Sequence, residues 1–528
     1  MIPKHIIKLE EMPITTNGKL NFKLLKQYKL EKAEKQTYHA PENDLQKLLC
    51  KTWNKYLDNK IGIDDNIFDS GVDSLIAIKF KTELLSHNIN IPYANLFKYP
   101  TVRSLSENTD LQEIISTIGQ YDYTKINKIL EKNNIETLKS NIKHNYKNNI
   151  LLLGSNGFVG SHILYNFIKQ DSGIAYCIVR KKHHKSAKAR FLDTIHFYFG
   201  NELDEFIDNR IIILQGDITK EYFDLNTEDY KEIINNTSTV INSAAMVKHY
   251  GKIEKFKNIN INATKNLCEY CQKYNKKLLH ISTISVSENS NIDSTYIASK
   301  NFDGSVFAEN NLYIGQVLNN EYTYSKFKAE RIILSNIADG LNAKIIRLGN
   351  ITNRFSDGKF QINPENNAFA NRLKSFVYLK CIPDYLQNLP LEFTPVDLCS
   401  KAIIFILQNN IKNFSVFHLY NNNSIYLKDF IDILKDNNIK IDFVEQKKFK
   451  NSVQKTLESP ESQNTLSGII NDLNNNYELI YKKDIDLSSN LTQLYLERLG
   501  FNWPKIDETY ITKYISYMKK INYFKEEK

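Results

Sequence analysis

Ile150-Leu151-Leu152-Leu153 runs straight into Gly154-Ser155-Asn156-Gly157-Phe158-Val159-Gly160, and a helical segment follows. Four apolar residues in a row read as a buried strand. The glycines allow a tight turn and let backbone amides approach a pyrophosphate, while the helix N-terminus adds a positive dipole. Glycines alone also mark ordinary turns. Strand, glycines and helix in this order point to a dinucleotide site.

Apolar runs of strand length recur at Ala175–Val179, Ile211–Leu214, Thr239–Ile241, Leu278–Ile281 and Lys344–Arg347, with helix-length amphipathic segments between them. That alternation predicts an α/β, Rossmann-type doubly wound parallel sheet over residues 148–360. Helical patterns dominate residues 361–528, predicting a mainly helical C-terminal subdomain. Upstream, residues 40–115 read as a small all-α bundle. A first helix covers Glu42 to Tyr56, a loop with Asp64, Asp65 and Asp69 follows, and a second helix starts near Ser74. Residues 116–147, polar and rich in Asn and Lys, read as a linker that folds little on its own. Residues 1–35 are extended, turn at Thr16–Lys19, and end in a Lys-rich helix. A chain of 528 residues exceeds what one hydrophobic core supports, in keeping with several domains.

Composition narrows the function classes. With 42% hydrophobic and 24% charged residues the chain reads as globular, and no apolar run is long enough to span a bilayer. The start, Met1-Ile2-Pro3-Lys4-His5, lacks the apolar core of a signal peptide. Lys and Arg number 69 against 60 acids, a net +9 scattered along the chain, which suits anionic cofactors without demanding nucleic acid. Six dispersed cysteines make no disulfide framework. Cys268-x-x-Cys271 falls inside a helical pattern with no second pair to complete a metal site, so buried thiols in a reducing cytoplasm are the expectation.

The second strand ends at Arg180, where NAD-binding folds usually carry an acid for the ribose 2′-hydroxyl and where Arg suits the 2′-phosphate of NADP. Lys181, Lys188 and Arg190 lie close in sequence. Asp217, after the third strand, is placed for the adenine side, or equally as a helix cap. Farther on, Tyr322-Thr-Tyr-Ser-Lys326 sets a phenol and an ammonium on one helical face. A nearby ammonium is expected to lower the phenol's pKa from about 10 toward the working range. Thr283 ends the Leu278–Ile281 strand region, at the sheet edge where ligands bind. Thr283, Tyr322 and Lys326 together match the triad expected of a short-chain dehydrogenase/reductase. Tyr324 and Lys328 repeat the spacing, and position must decide between the pairs.

Residues 148–528 resemble the thioester reductase domain that ends many nonribosomal peptide synthetases, carboxylic acid reductases and aminoadipate reductases. The resemblance rests on LLLGSNGFVG, CIVR, GDI, NSAAMVKHY, NINAT, HISTISV, FAENNLYIGQ at Phe307–Gln316, NEYTYSKFKAE, RLGNI, TPVDL and LGFNWP. It selects Tyr322 and Lys326, and implies cofactor contacts at Gly154, Ser155, Asn156, Gly157, Phe158, Val159, Gly160, Arg180, Arg190, Asp217, Ile218, Ser243, Ala244, Ala245 and Lys326. Asn242 departs from an expected His, and Ala263 from an expected Gly. Asp65-Asn-Ile-Phe-Asp-Ser-Gly-Val-Asp-Ser74-Leu resembles the attachment motif of acyl and peptidyl carriers, which implies 4′-phosphopantetheine on Ser74 and a phosphopantetheinyl transferase as partner. Asp-Ser before a helix is otherwise a common N-cap.

Residues 1–30 resemble the tail of an adenylation domain, through Pro13-Ile-Thr-Thr-Asn-Gly-Lys19, with Asn21-Phe22 where that family has Asp-Arg. The chain therefore reads as the end of a longer or split synthetase, served by adenylation and condensation domains upstream. What the resemblance implies is reductive release of an acyl or peptidyl thioester by NADPH, to an aldehyde or onward to an alcohol. Thr283 and Tyr322 would hold the oxyanion, Lys326 the nicotinamide ribose. A non-redox cyclising release domain and a carrier module with an inert reductase fold are the rivals. The Phe307–Gln316 stretch is expected near the substrate entrance.

Overall fold

The computed structural model describes residues 38–57, 60–72, 74–86, 91, 93–107, 121–139, 143–144, 148–182, 185–247, 253–287, 306–316, 318, 321–458, 463–473, 477–479 and 486–524. The stretch read as an adenylation-domain tail, 1–35, lies outside them. By contact the chain forms two compact units, one reaching residue 72 with Pro100–Glu107, the other holding 74–99 and everything from 121 onward.

Among the described residues, four helices lie in the region read as a bundle: α1 Asp44–Asn54, α2 Ser74–Ser86, α3 Tyr93–Lys98 and α4 Val102–Glu107. The first unit takes α1 and α4. Asn43 caps α1, its side chain accepting from the Gln46 amide, and Leu49 and Trp53 are fully buried in this unit with Ile63, Ile67 and Val102. Arg103 on α4 forks onto Asp64 at 2.7 and 3.1 Å and reaches Glu42 at 3.1 Å, so the chain closes around the acidic loop. Arg103 and His39 hold the Asp64 carboxyl down at about 2. Gly71 turns with φ +104, a conformation that glycine adopts without strain, three residues before Ser74 opens α2.

In the second unit, part of the segment read as a linker that folds little on its own is helical and packed against the core. Residues 121–139 carry helices α5 Thr124–Leu130 and α6 Ile135–Lys139. Their spaced apolar residues are buried, Ile126 and Leu130 in one core cluster and Leu138 in another. Asn133, between them, donates to Glu309 O at 2.9 Å and accepts from Ser415 N at 2.8 Å. The polar composition hid a docked helix pair.

The sheet is seven-stranded. Its strands are β1 Ile150–Leu153, β2 Ala175–Val179, β3 Ile211–Gln215, β4 Thr239–Asn242, β5 Lys277–Thr283, β6 Ala343–Leu348 and β7 Val416–Leu419. They lie in the order β7-β6-β5-β4-β1-β2-β3 and every pairing is parallel. The order reverses at β1, the switch point where such sheets bind ligands. Six of the strands fall on the predicted runs. The seventh, β7, corrects the domain boundary at 360, because the chain returns to the sheet after leaving it. His418 interrupts its apolar run and masked it in the sequence. Helices α7 Phe158–Gln170, α8 Ala187–Phe199, α9 Thr227–Asn236, α10 Ala263–Lys273 and α11 Glu321–Ala338 join or flank the strands. Helix α12 Val396–Gln408 packs on α7, again from beyond residue 360. A separate apolar cluster, with Phe360, Phe376, Phe430, Phe449 and Tyr514, makes the core of the C-terminal part.

Candidate active site

β1 delivers the chain to Gly154, which turns with φ +80; a Cβ there would lie 2.7 Å from Ala244 N. At Gly160 a Cβ would stand 2.1 Å from Gly154 O, so only glycine lets α7 pack against the turn. Helix α7 starts at Phe158 behind Gly157, with no side chain capping its first amides. Those amides are free for a ligand oxygen. Ser155 is buried at the base of this loop, while Asn156 is half-buried and Gly157 is exposed. Ser243, following β4, donates to Leu153 O at 2.6 Å and ties Ser243–Ala245, the second segment expected to meet the cofactor, to the glycine turn.

At the end of β2, Arg190 donates to the carbonyl of Arg180, which places its guanidinium beside that residue. Burial and the Arg180 charge lower the Arg190 pKa. Arg180 stands 3.9 Å from Asp217, whose carboxylate accepts from Thr219 N at 3.0 Å. Lys188, a further candidate, is engaged by Asp208 at 2.5 Å instead. Two neighbouring guanidiniums make a fitting seat for a dianionic phosphate. The cradle as a whole fits a dinucleotide: glycines where a Cβ would clash, unspent helix amides, and a cationic rim.

Thr283 ends β5, and the register sets it opposite Leu348 of β6. It is buried, and its hydroxyl accepts from Ser285 N at 3.1 Å. Tyr322 opens α11 one residue in, half-buried, in hydrogen-bond contact with Thr283. Burial pushes its phenol up to about 12, and the Thr283 hydrogen bond offsets only part of that. The expected lowering by Lys326 does not occur, because Lys326 is turned to the strand. Its Nζ donates to Ile281 O at 2.6 Å and lies 3.4 Å from His280 Nε2. Burial brings Lys326 down to about 8. The rival pair is separate in kind: Lys328 lies over the ring of its own neighbour Tyr324 at 5.3 Å.

Besides His280, two residues escaped the sequence reading. Asn260 sits in a π turn, Lys257–Asn262, just before α10. Its amide accepts from Met246 N at 2.8 Å and donates to Ser325 Oγ at 2.8 Å, joining the Ser243 loop to α11. The quoted string NINAT contained it without marking it. Glu330, two turns beyond Tyr322, forms a fully buried pair with Arg347 of β6 at 2.7 Å and accepts from Ser282 Oγ at 2.5 Å. Within the Phe307–Gln316 stretch, Phe307, Glu309, Leu312 and Gln316 are buried and Asn310 is exposed, and Gln316 donates to Val286 O at 3.0 Å. Cys268 and Cys271 are likewise buried on α10, with burial raising the Cys268 thiol to about 12. Among the described residues no His, Cys, Asp and Glu cluster could hold a metal, and no helix is long and apolar enough to cross a membrane.

Residues 152–403 match the NAD-binding family described as Male sterility protein, and residues 47–108 match the phosphopantetheine attachment site family. A thiolation-reductase di-domain from an archaeal non-ribosomal peptide synthetase superposes with a TM-score of 0.81 at 32% identity, over 93% of this chain and all of that one. A linear gramicidin synthase polypeptide of Brevibacillus parabrevis is 24% identical over 98% of this chain, which spans 10% of that protein. L-2-aminoadipate reductase of Saccharomyces cerevisiae is 24% identical over 88% of this chain, covering 36% of its own length.

Proposed function

The chain belongs to the thiolation-reductase di-domains of non-ribosomal peptide synthetases, and on that premise we propose that it releases an acyl or peptidyl group from its own carrier segment as an aldehyde, which a second reduction can take to the alcohol. The observation that carries this reading is that one chain holds a match to the phosphopantetheine attachment family, with Ser74 opening a helix inside it, and a Thr283–Tyr322 pair at the sheet edge. NADPH would supply the hydride, and phosphopantetheine on Ser74 the thiol of the thioester. Thr283 and Tyr322 hold the carbonyl oxygen by donating to it as negative charge develops there. A phenol kept protonated by burial is suited to give up its proton only to that oxygen. Lys326 orients the ribose side of the site, and Arg180 with Arg190 favours the 2′-phosphate form of the cofactor.

The residues after 360 that build the separate C-terminal cluster serve, in this reading, as the acyl-group side of the site. The partners are a phosphopantetheinyl transferase and the synthetase domains that load the arm, adenylation and condensation domains among them. Six unpaired cysteines fit a cytoplasmic setting. The test is one assay on the chain alone. A phosphopantetheinyl transferase loads Ser74 with a set of aminoacyl and dipeptidyl arms, and cofactor oxidation is followed with product mass. NADPH consumption with aldehyde or alcohol release, lost in both Ser74→Ala and Tyr322→Phe, is the expected result. Release without cofactor oxidation would replace the reading with cyclisation or hydrolysis.

A further inference from the structure

Behind Lys326 lies a buried polar chain that the proposed chemistry does not use. His280 and Asn242 face each other as register partners on β5 and β4. His280 Nδ1 is 3.2 Å from Asn242 Nδ2, and His280 Nε2 is 3.4 Å from Lys326 Nζ. Asn242 Oδ1 accepts from Ala244 N at 3.2 Å, inside the second cofactor segment. Asn242, His280 and Lys326 are each only 2% exposed, so no bulk water rescues a mismatched proton.

Counting protons along this chain leaves two consistent states. With Oδ1 held by the Ala244 amide, Asn242 presents its NH2 to His280, so Nδ1 accepts and the ring proton sits on Nε2. That Nε2–H points at Lys326 and is satisfied only by the lone pair of a neutral amine. An ammonium at Lys326 needs the opposite arrangement. Nε2 then accepts, Nδ1 carries the proton, and Asn242 must turn its oxygen to His280. Turning it removes the acceptor from Ala244 N–H, which becomes available to an oxygen of a bound ligand. The ring stays neutral in both states, since burial, and the Lys326 charge after it, hold its pKa well below the usual value. The other charge acting on Lys326 is Glu330, on the same helix and paired with Arg347 of β6.

We propose that Asn242 and His280 form a tautomeric relay that couples occupation of the Ala244 amide by the cofactor to the charge on Lys326. His280 and Asn242 are positioning residues here, acting through Lys326. The relay rests on Ser243–Ala245 being a cofactor segment, as the proposed function has it. Its proton balance is simple: when the cofactor takes the Ala244 amide, one proton is drawn from solvent to make Lys326 an ammonium, and the His280 proton moves from Nε2 to Nδ1.

Calorimetry of NADP+ binding to the full chain at pH 8, in buffers of different ionisation enthalpy, reads that proton directly and needs no thioester. That pH lies well above the second ionisation of a phosphate, about 6. Wild type is expected to take up on the order of half a proton per site, the figure for a group that titrates near the experimental pH. His280→Phe and Asn242→Leu should bind NADP+ and take up less than a fifth of that. Uptake that persists in either folded variant overturns the relay. The nitrogen spectrum of the wild-type histidines, with and without NADP+, decides independently of any variant. About half of one ring's population should move from the Nε2–H to the Nδ1–H tautomer at this pH, and a spectrum in which none does sinks the proposal. Failure to reduce any thioester would leave this result standing, whereas failure to bind NADP+ would remove the cofactor reading and the relay together.

Discussion

At the scale of single residues the centre is defined by what burial does to two groups. Tyr322 is held protonated, and Tyr322→Phe removes the proposed acid while keeping the ring. The expected outcome is a 10²- to 10⁴-fold loss in turnover, the usual worth of a positioned acid–base group, with NADPH affinity within about twofold of wild type by fluorescence titration. Lys326 carries the opposite signature. Its folded pKa, about 8, lies below the ordinary lysine value of about 10.5. Between those values the unfolded chain binds more protons than the folded one, so folding is increasingly favoured as pH rises from 8 toward 10.5. Lys326→Met lacks this dependence. The cofactor-free variant should melt above wild type at pH 7, and the gap in thermal midpoint should shrink by pH 9; a gap independent of pH would mean that Lys326 is not buried as an ammonium.

At the scale of elements, the site is made where turns and helices meet the strand ends, and legibility followed from that. Strands β1 to β6 were readable because both faces of the sheet are covered, so each strand carries a short run of apolar residues at its centre. The glycine turn was readable because Gly154 and Gly160 answer to backbone contacts that allow no side chain. Asn260, His280 and Glu330 were not readable. Their work depends on which strand lies beside which, and a lone Asn or His in an apolar stretch carries no local sign of its partner. The Tyr322–Lys326 spacing suggested an ammonium at the phenol, yet hydrogen bonds from β5 redirect it. Two substitutions test the elements. Gly160→Ala forces a Cβ onto the Gly154 carbonyl, so the turn must open, and NADP+ affinity should fall at least tenfold. Glu330→Gln leaves Arg347 charged and fully buried without its counter-ion. Removing one partner of such a pair costs about 3–5 kcal/mol, which denaturant titration of the variant should show.

At the scale of the molecule, where the reductase begins matters most. A boundary drawn at 148 from composition omits α5 and α6, although Tyr123, Ile126, Leu130 and Leu138 are at most 8% exposed. Tyr123 stacks on Tyr313 at 5.0 Å between ring centroids, and Asn133 bridges to the chain beside β7. Each buried aliphatic side chain is worth about 1.5–3 kcal/mol relative to exposure, so deleting the segment removes several kcal/mol. It also uncovers an apolar strip on the faces of the sheet, a surface prone to association. Ser415 N and Glu309 O would lose their Asn133 partner as well. Two truncations separate the possibilities. A chain starting at residue 121 should be monodisperse and bind NADP+ as the full chain does. One starting at residue 148 should melt at least 5 °C lower or aggregate, a shift that matches about 4 kcal/mol at this size. Equal melting of the two would mean that α5 and α6 merely lie on the surface and that the compositional boundary is the physical one.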